Sequence, residues 1–155
     1  NKALNRTLFL LENQTLFQNI TIKKELADDL PMLFGDIQQL NHMFMNIILN
    51  AVQAMAGNGR LTVRTASVPE SGQVRIEIAD TGPGIPPTVL PHIFEPFFRS
   101  AASREIAGVG LGLAIAREFV LAHRGELKLV PSAEGAHFRV VLPLDAPYLR
   151  VQKNV

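Results

Sequence analysis

The chain has 155 residues, the length of one ordinary globular domain, with 47% hydrophobic and 19% charged residues, so it carries enough apolar material for a core. Fifteen Lys and Arg against 14 Asp and Glu leave a formal net charge of +1, which argues against a protein that coats nucleic acid. Without cysteine there is no disulfide framework, thiolate metal site or cysteine nucleophile, and no apolar run approaches the roughly 20 residues that span a bilayer.

Asn1–Arg6 lacks the successive charged, apolar and small-residue regions of a signal peptide. The sequence enters a helical pattern without an initiating methionine, and a piece of a longer protein is expected. Leu4, Leu8, Phe9 and Leu11 recur with helical spacing over 4–17. So short a helix is marginal alone. It is either a first helix packed on the domain or, the favoured expectation, the tail of a helix from a preceding domain. Asn19–Leu26 alternates apolar and polar residues and reads as an edge strand.

The strongest helix follows Pro31 and Gly35, over about 36–55. Asp36 is its expected cap, with Gln39 completing a capping-box-like pair. Ile37, Leu40, Phe44, Ile47, Ile48, Ala51 and Met55 fall on one face, and Asn46, Asn50 and Gln53 on the other. Gly57 and Gly59 stop it. Strands are expected over 61–66 and 73–79, in the alternating pattern of a sheet with one buried face. Residues 80–110 break all periodicity with five prolines, four glycines and three phenylalanines. So long an irregular stretch in a compact domain is usually functional. A second helix over 111–123 ends at Gly125, and strands over 126–130 and 137–142 close the domain, ahead of a tail after Pro143 expected to be poorly ordered. The fold expected is α+β, a two-layer α/β sandwich with a mixed, mostly antiparallel sheet and helices on one face. Strands are expected to meet as hairpins rather than as βαβ crossovers.

Four features carry chemistry. Asn46 and Asn50 sit one turn apart, so both amides can point at one ligand, and an amide oxygen suits magnesium. Asp80-Thr81-Gly82-Pro83-Gly84-Ile85 puts a carboxylate at a strand end, able to accept from an exocyclic amino group such as that of adenine, ahead of a sharp glycine turn. Ile93–Arg99 (IFEPFFR) reads as a loop packing on something apolar, with Arg99 in reach of a phosphate. Gly108-Val109-Gly110-Leu111-Gly112-Leu113 offers backbone amides to an anion at a helix N-terminus. It is neither a dinucleotide fingerprint nor a GxxxxGK[ST] loop. Singly, each has an ordinary reading: exposed helix asparagines, a capped Gly-Pro turn, a core-closing loop, a glycine-rich turn.

In this order and spacing, the four resemble the catalytic domains of sensor histidine kinases, in the superfamily that includes type II topoisomerases, Hsp90 and MutL. NHMFMNIILNAVQAM resembles the N box, DTGPGI the G1 box, IFEPFFRS the F box and GVGLGLAIA the G2 box, and Gly135-Ala136-His137-Phe138 resembles the final glycine motif. The resemblance covers about residues 19–143. It implies an ATP-binding catalytic domain over 19–145, a helix end from a dimerisation and phosphoacceptor domain over 1–18, and a tail over 146–155. It implies Asn50 as magnesium ligand supported by Asn46, and Asp80 as adenine acceptor above Gly82 and Gly84. It makes Gly108, Gly110 and Gly112 the phosphate-facing hinge of an ATP lid whose near end Phe94 and Phe97 anchor. Gln53, Ile85, Arg99, Leu111, Leu113 and Ala136 complete the implied nucleotide site. Gln53 stands where many relatives have a basic residue, and Arg99 or Arg104 takes the basic role after the F box.

The implied reaction is transfer of the γ-phosphoryl of Mg-ATP to a histidine on a separate dimerisation domain. The implied partners are ATP, that domain and a response regulator receiver domain, within a homodimeric two-component kinase whose catalytic part is cytoplasmic. Hydrolytic relatives carry a glutamate base where this chain has Asn46, an amide that cannot take a proton, which favours a kinase over an ATPase. None of His42, His92, His123 and His137 is followed by Glu or Asp as an acceptor usually is, so each reads as a surface or packing histidine. Two alternatives stand: a non-catalytic ATP-binding module, and a serine-directed kinase of the anti-sigma-factor type.

Overall fold

The structure, a computed structural model, describes residues 1–101 and 108–145. Its elements are α1 (Lys2–Glu12), β1 (Asn19–Leu26), α2 (Ile37–Ala54), β2 (Asn58–Val68), β3 (Gln73–Asp80), α3 (Gly112–Ala122), β4 (Glu126–Leu129) and β5 (His137–Pro143). The strands form one sheet in the order β1-β2-β3-β5-β4. β1 runs parallel to β2, and every other pair is antiparallel.

The mixed, mostly antiparallel sheet agrees with expectation, but its connections do not all. β2–β3 and β4–β5 are hairpins, whereas α2 joins β1 to β2 as a crossover. Parallel neighbours need such a connection because the chain must return to the end where it began.

Asp36 starts α2, its Oδ1 accepting from the backbone N–H groups of Gln38 (2.8 Å) and Gln39 (3.2 Å). Leu40, Met43, Phe44, Ile47, Ile48, Ala51 and Val52 are buried against the sheet. Ile37 shares their stripe but is 52% exposed, because a terminal turn has neighbours on one side only. The sheet contributes Leu61, Val63, Ile76, Ile78, Phe138, Val140 and Leu142 to this core. Truncating Ile47 or Ile48 to alanine would cost about 2–5 kcal/mol through the cavity left behind. α1 turns Leu4, Leu8 and Leu11 into the same core.

The other sheet face is polar. Glu25, Arg64, Glu77 and Arg139 lie side by side across four strands, alternating in sign. Arg139 Nη2 reaches Glu77 Oε1 at 2.8 Å, and Arg64 pairs with Glu25. One apolar and one charged face is the alternation a half-covered sheet requires. Residues 146–155, expected as a tail, and Arg104, one of two candidates for the basic residue after IFEPFFRS, lie outside the described residues.

Candidate functional site

α2 carries a polar stripe opposite its buried one. Asn46, Asn50 and Gln53, together with Leu49 and Ala54, form one wall of a cavity of about 300 Å³. The facing wall is Gly108–Leu113, and Ile93, Phe98 and Arg99 close the third side. A Cβ on Gly112 would lie 3.8 Å from Asn46 Oδ1, so the glycine-rich turn passes directly over the first amide. α3 begins here without a side-chain cap. An uncapped helix N-terminus presents backbone N–H groups and a partial positive charge, both of which favour an anion.

Asp80 ends β3 beside this cavity and is only 3% exposed. Its Oδ1 accepts from the N–H of Gly82 (2.9 Å) and of Ala136 (3.1 Å), and its own N–H donates to the Ala136 carbonyl (2.9 Å). Its Oδ2 is buried with no hydrogen-bond partner among the described residues. Burial pushes the carboxyl above the ordinary aspartate range, with the Ala136 and Gly82 N–H groups pulling the other way. A buried acceptor lacking a donor is costly, and a ligand amino group would relieve it. Gly82 abuts Ala54, since a Cβ on it would lie 3.3 Å from the Ala54 carbonyl, and so ties the carboxylate to the wall of the cavity.

The phenylalanine segment is placed differently from expectation. Phe94 packs edge-on to Phe138 with centroids 6.5 Å apart, and the Arg117 guanidinium sits 5.4 Å above its ring. Phe97 does not anchor through its side chain: it adopts φ +63° and its ring is 71% exposed. It holds the glycine turn through its backbone, donating its N–H to the Gly110 carbonyl at 2.9 Å. Phe98 lines the cavity instead. Gly110 itself has φ +76°, and a Cβ there would come within 2.7 Å of the Phe98 carbonyl oxygen.

Asn46, Asn50, Gln53, Arg99, Gly108, Gly110, Leu111, Gly112 and Leu113 therefore share one cavity. Asp80, Gly82, Gly84 and Ala136 form the cluster beside it, while Ile85 packs against the core. Leu49 and Ala54 were not foreseen, although they follow Asn46 and Asn50 at helical spacing. Phe98 and Gly135 were also missed as site residues. A larger depression of about 820 Å³ lies on the far side of the turn, bounded by Arg60, Thr81 and Glu134. It shares Gly82 and Gly135 with the Asp80 cluster but holds neither asparagine of the amide pair.

The donors fit Mg-ATP. The orphaned acceptor suits the adenine amino group, and the uncapped α3 N-terminus suits phosphate. Among the described residues no three His, Asp or Glu side chains cluster as a metal cage. Magnesium usually takes one or two protein oxygens and completes its shell with phosphate and water, a shell to which an amide oxygen such as that of Asn50 can contribute.

Residues 35–146 match the family described as histidine kinase-, DNA gyrase B-, and HSP90-like ATPase. The chain is 37% identical over 148 residues to sporulation kinase C of Bacillus subtilis, covering 94% of this chain and 33% of that protein. It is 32% identical over 146 residues to the signal transduction histidine-protein kinase AtoS of Escherichia coli, covering 94% and 23%. The chain thus spans a third or less of the length of these curated relatives. The solved structure of the mycobacterial sensor histidine kinase MprB superposes with a TM-score of 0.82 at 32% identity, covering 94% of this chain and 96% of that one.

Proposed function

Because the chain belongs to the histidine kinase-, DNA gyrase B-, and HSP90-like ATPase family, as a sensor histidine kinase ATP-binding catalytic domain, we propose that it binds Mg-ATP and transfers the γ-phosphoryl group to a histidine on a separate dimerisation domain. The observation that carries this is the buried Oδ2 of Asp80, without a hydrogen-bond partner among the described residues, beside a cavity walled by two amides and an uncapped helix N-terminus.

Asp80 accepts the adenine amino group, with Oδ1 held by Gly82 and Ala136 so that Oδ2 alone is offered. The backbone N–H groups at Gly110–Gly112 receive phosphate oxygens, and Arg99 and Gln53 line the same space. Asn50 is the ligand for magnesium, with Asn46 supporting it one turn away. The ion, when bound, neutralises charge across the phosphate oxygens. Asn46 cannot serve as a general base on water, so the site positions phosphate for an imidazole nucleophile and leaves water unactivated.

The acceptor belongs to another domain. His42 stacks on Phe119, His92 bonds Glu95, His123 is buried, and His137 lies beside Glu77. Among the described residues no helix is long and apolar enough to cross a membrane. A cytoplasmic catalytic part, a homodimeric whole protein and a receiver-domain partner complete the reading.

The test supplies γ-labelled ATP, magnesium and the dimerisation domain of the same kinase. Acid-labile, alkali-stable label on that domain is the expected outcome. Acid-stable label would mark a serine-directed kinase, and ATP binding without label a non-catalytic module.

A further inference from the structure

His123 is 4% exposed and sits where two helices meet. Its Nε2 accepts from the backbone N–H of Asp36 at 3.1 Å. Its Nδ1 lies 2.7 Å from the carbonyl oxygen of Phe119, an acceptor that requires a proton on Nδ1. These two contacts define a neutral imidazole with its hydrogen on Nδ1. Gly35 makes room for the ring, since a Cβ there would fall 2.8 Å from both Cδ2 and Nε2. The imidazole therefore bonds the residue that caps α2 to the last turn of α3.

The two helices are antiparallel, because the α2 start meets the α3 end at His123, while Asn46 meets Gly112 at the α3 start. Between these points His42 stacks on Phe119 with centroids 6.2 Å apart. A sliding or rotation of α2 at Asp36 must carry Asn46 and Asn50 with it, since a helix transmits displacement along its axis. Asn50 lies 14 residues from Asp36, roughly 21 Å at 1.5 Å per residue.

We propose that His123 is a positioning residue for the nucleotide site, fixing the register of α2 against α3 so that the amide pair faces the α3 N-terminus. The inference rests on the Mg-ATP reading above. It assigns His123 no contact with nucleotide.

The test compares the wild-type chain with His123→Phe and His123→Gln, using a non-hydrolysable ATP analogue with magnesium at a temperature where each is folded. Glutamine can return an acceptor to the Asp36 N–H; phenylalanine cannot. The expected result is about tenfold weaker binding for His123→Phe, as the aligned register falls to about a tenth of the population once the hydrogen bond that selects it is lost, with most of the affinity restored in His123→Gln. Nitrogen chemical shifts of the wild-type imidazole should report the proton on Nδ1 at neutral pH, a measurement independent of whether either variant folds. A His123→Phe chain that melts earlier yet binds as tightly as wild type would overturn the inference, as would a proton on Nε2. Failure of the wild-type chain to bind would instead overturn the nucleotide reading, leaving the tautomer to decide the helix clamp.

Discussion

The backbone of Gly135 lies so close to Asp80 that a Cβ there would stand 2.1 Å from the Asp80 carbonyl oxygen and 2.5 Å from its Oδ1. Gly135 also has φ +56°, where a side chain is strained. Glycine thus lets the β4–β5 turn press against the carboxylate and bring the Ala136 N–H to it. Gly135→Ala should destabilise the fold by at least ~2 kcal/mol from overlap and backbone strain together. It should also weaken nucleotide binding in whatever fraction folds. Thermal unfolding followed by titration checks both, and an unchanged melting temperature would count against the contact.

Keeping the buried Asp80 carboxylate charged costs stability. Its folded pKa is raised, so folding favours the protonated carboxyl. The relative gain is fully present below the unfolded pKa and disappears as pH rises through the folded one. Asparagine removes the buried charge while its Oδ1 can still accept from Gly82 and Ala136. Asp80→Asn should therefore melt at or above the wild-type temperature at pH 7, with the difference shrinking as pH falls towards 4. A variant markedly less stable at pH 7 would show that the charge is not the burden.

Asn50 is the proposed metal ligand. Wild type should bind an ATP analogue about tenfold or more tightly with magnesium than with chelator, the scale of a charge-assisted contact. Asn50→Ala should bind nearly the same either way. An unchanged magnesium dependence in the variant would remove Asn50 from the metal site.

The two neighbouring phenylalanines should respond oppositely. Phe97 occupies a left-handed conformation with its ring exposed, so Phe97→Gly should be neutral or gain up to about 1 kcal/mol. Phe98→Ala opens the cavity wall and should weaken nucleotide binding with little effect on folding. Parallel denaturation and binding curves for both variants decide it. Loss of stability in Phe97→Gly would mean the ring has a partner after all.

Most of this architecture could be read from the sequence because local rules set it. The alternation in Gln73–Asp80 and the apolar stripe from Leu40 to Ala51 specify a half-buried strand and an amphipathic helix without reference to the rest of the chain. Asp36 was legible as a cap for the same reason. The crossover between β1 and β2 was not, since pairing partners depend on contacts between distant segments. The choice between Phe97 and Phe98 depends on one positive φ, which the hydrogen bond to Gly110 stabilises from across the loop. Gly135 against Asp80 joins residues 55 positions apart. His123 read as a surface or packing histidine, and choosing between these, like finding its two hydrogen bonds, required the helix ends to be placed.

The central claim, that Asp80 recognises adenine beside a magnesium-phosphate pocket, is tested most directly by calorimetric titration of this chain with a non-hydrolysable ATP analogue and magnesium. A GTP analogue and Asp80→Asn serve as comparisons. The expected result is adenine-selective binding that Asp80→Asn weakens by about ten- to a hundredfold, the worth of a charge-assisted hydrogen bond. Equal affinity for the two analogues, or undiminished ATP binding by folded Asp80→Asn, would contradict it.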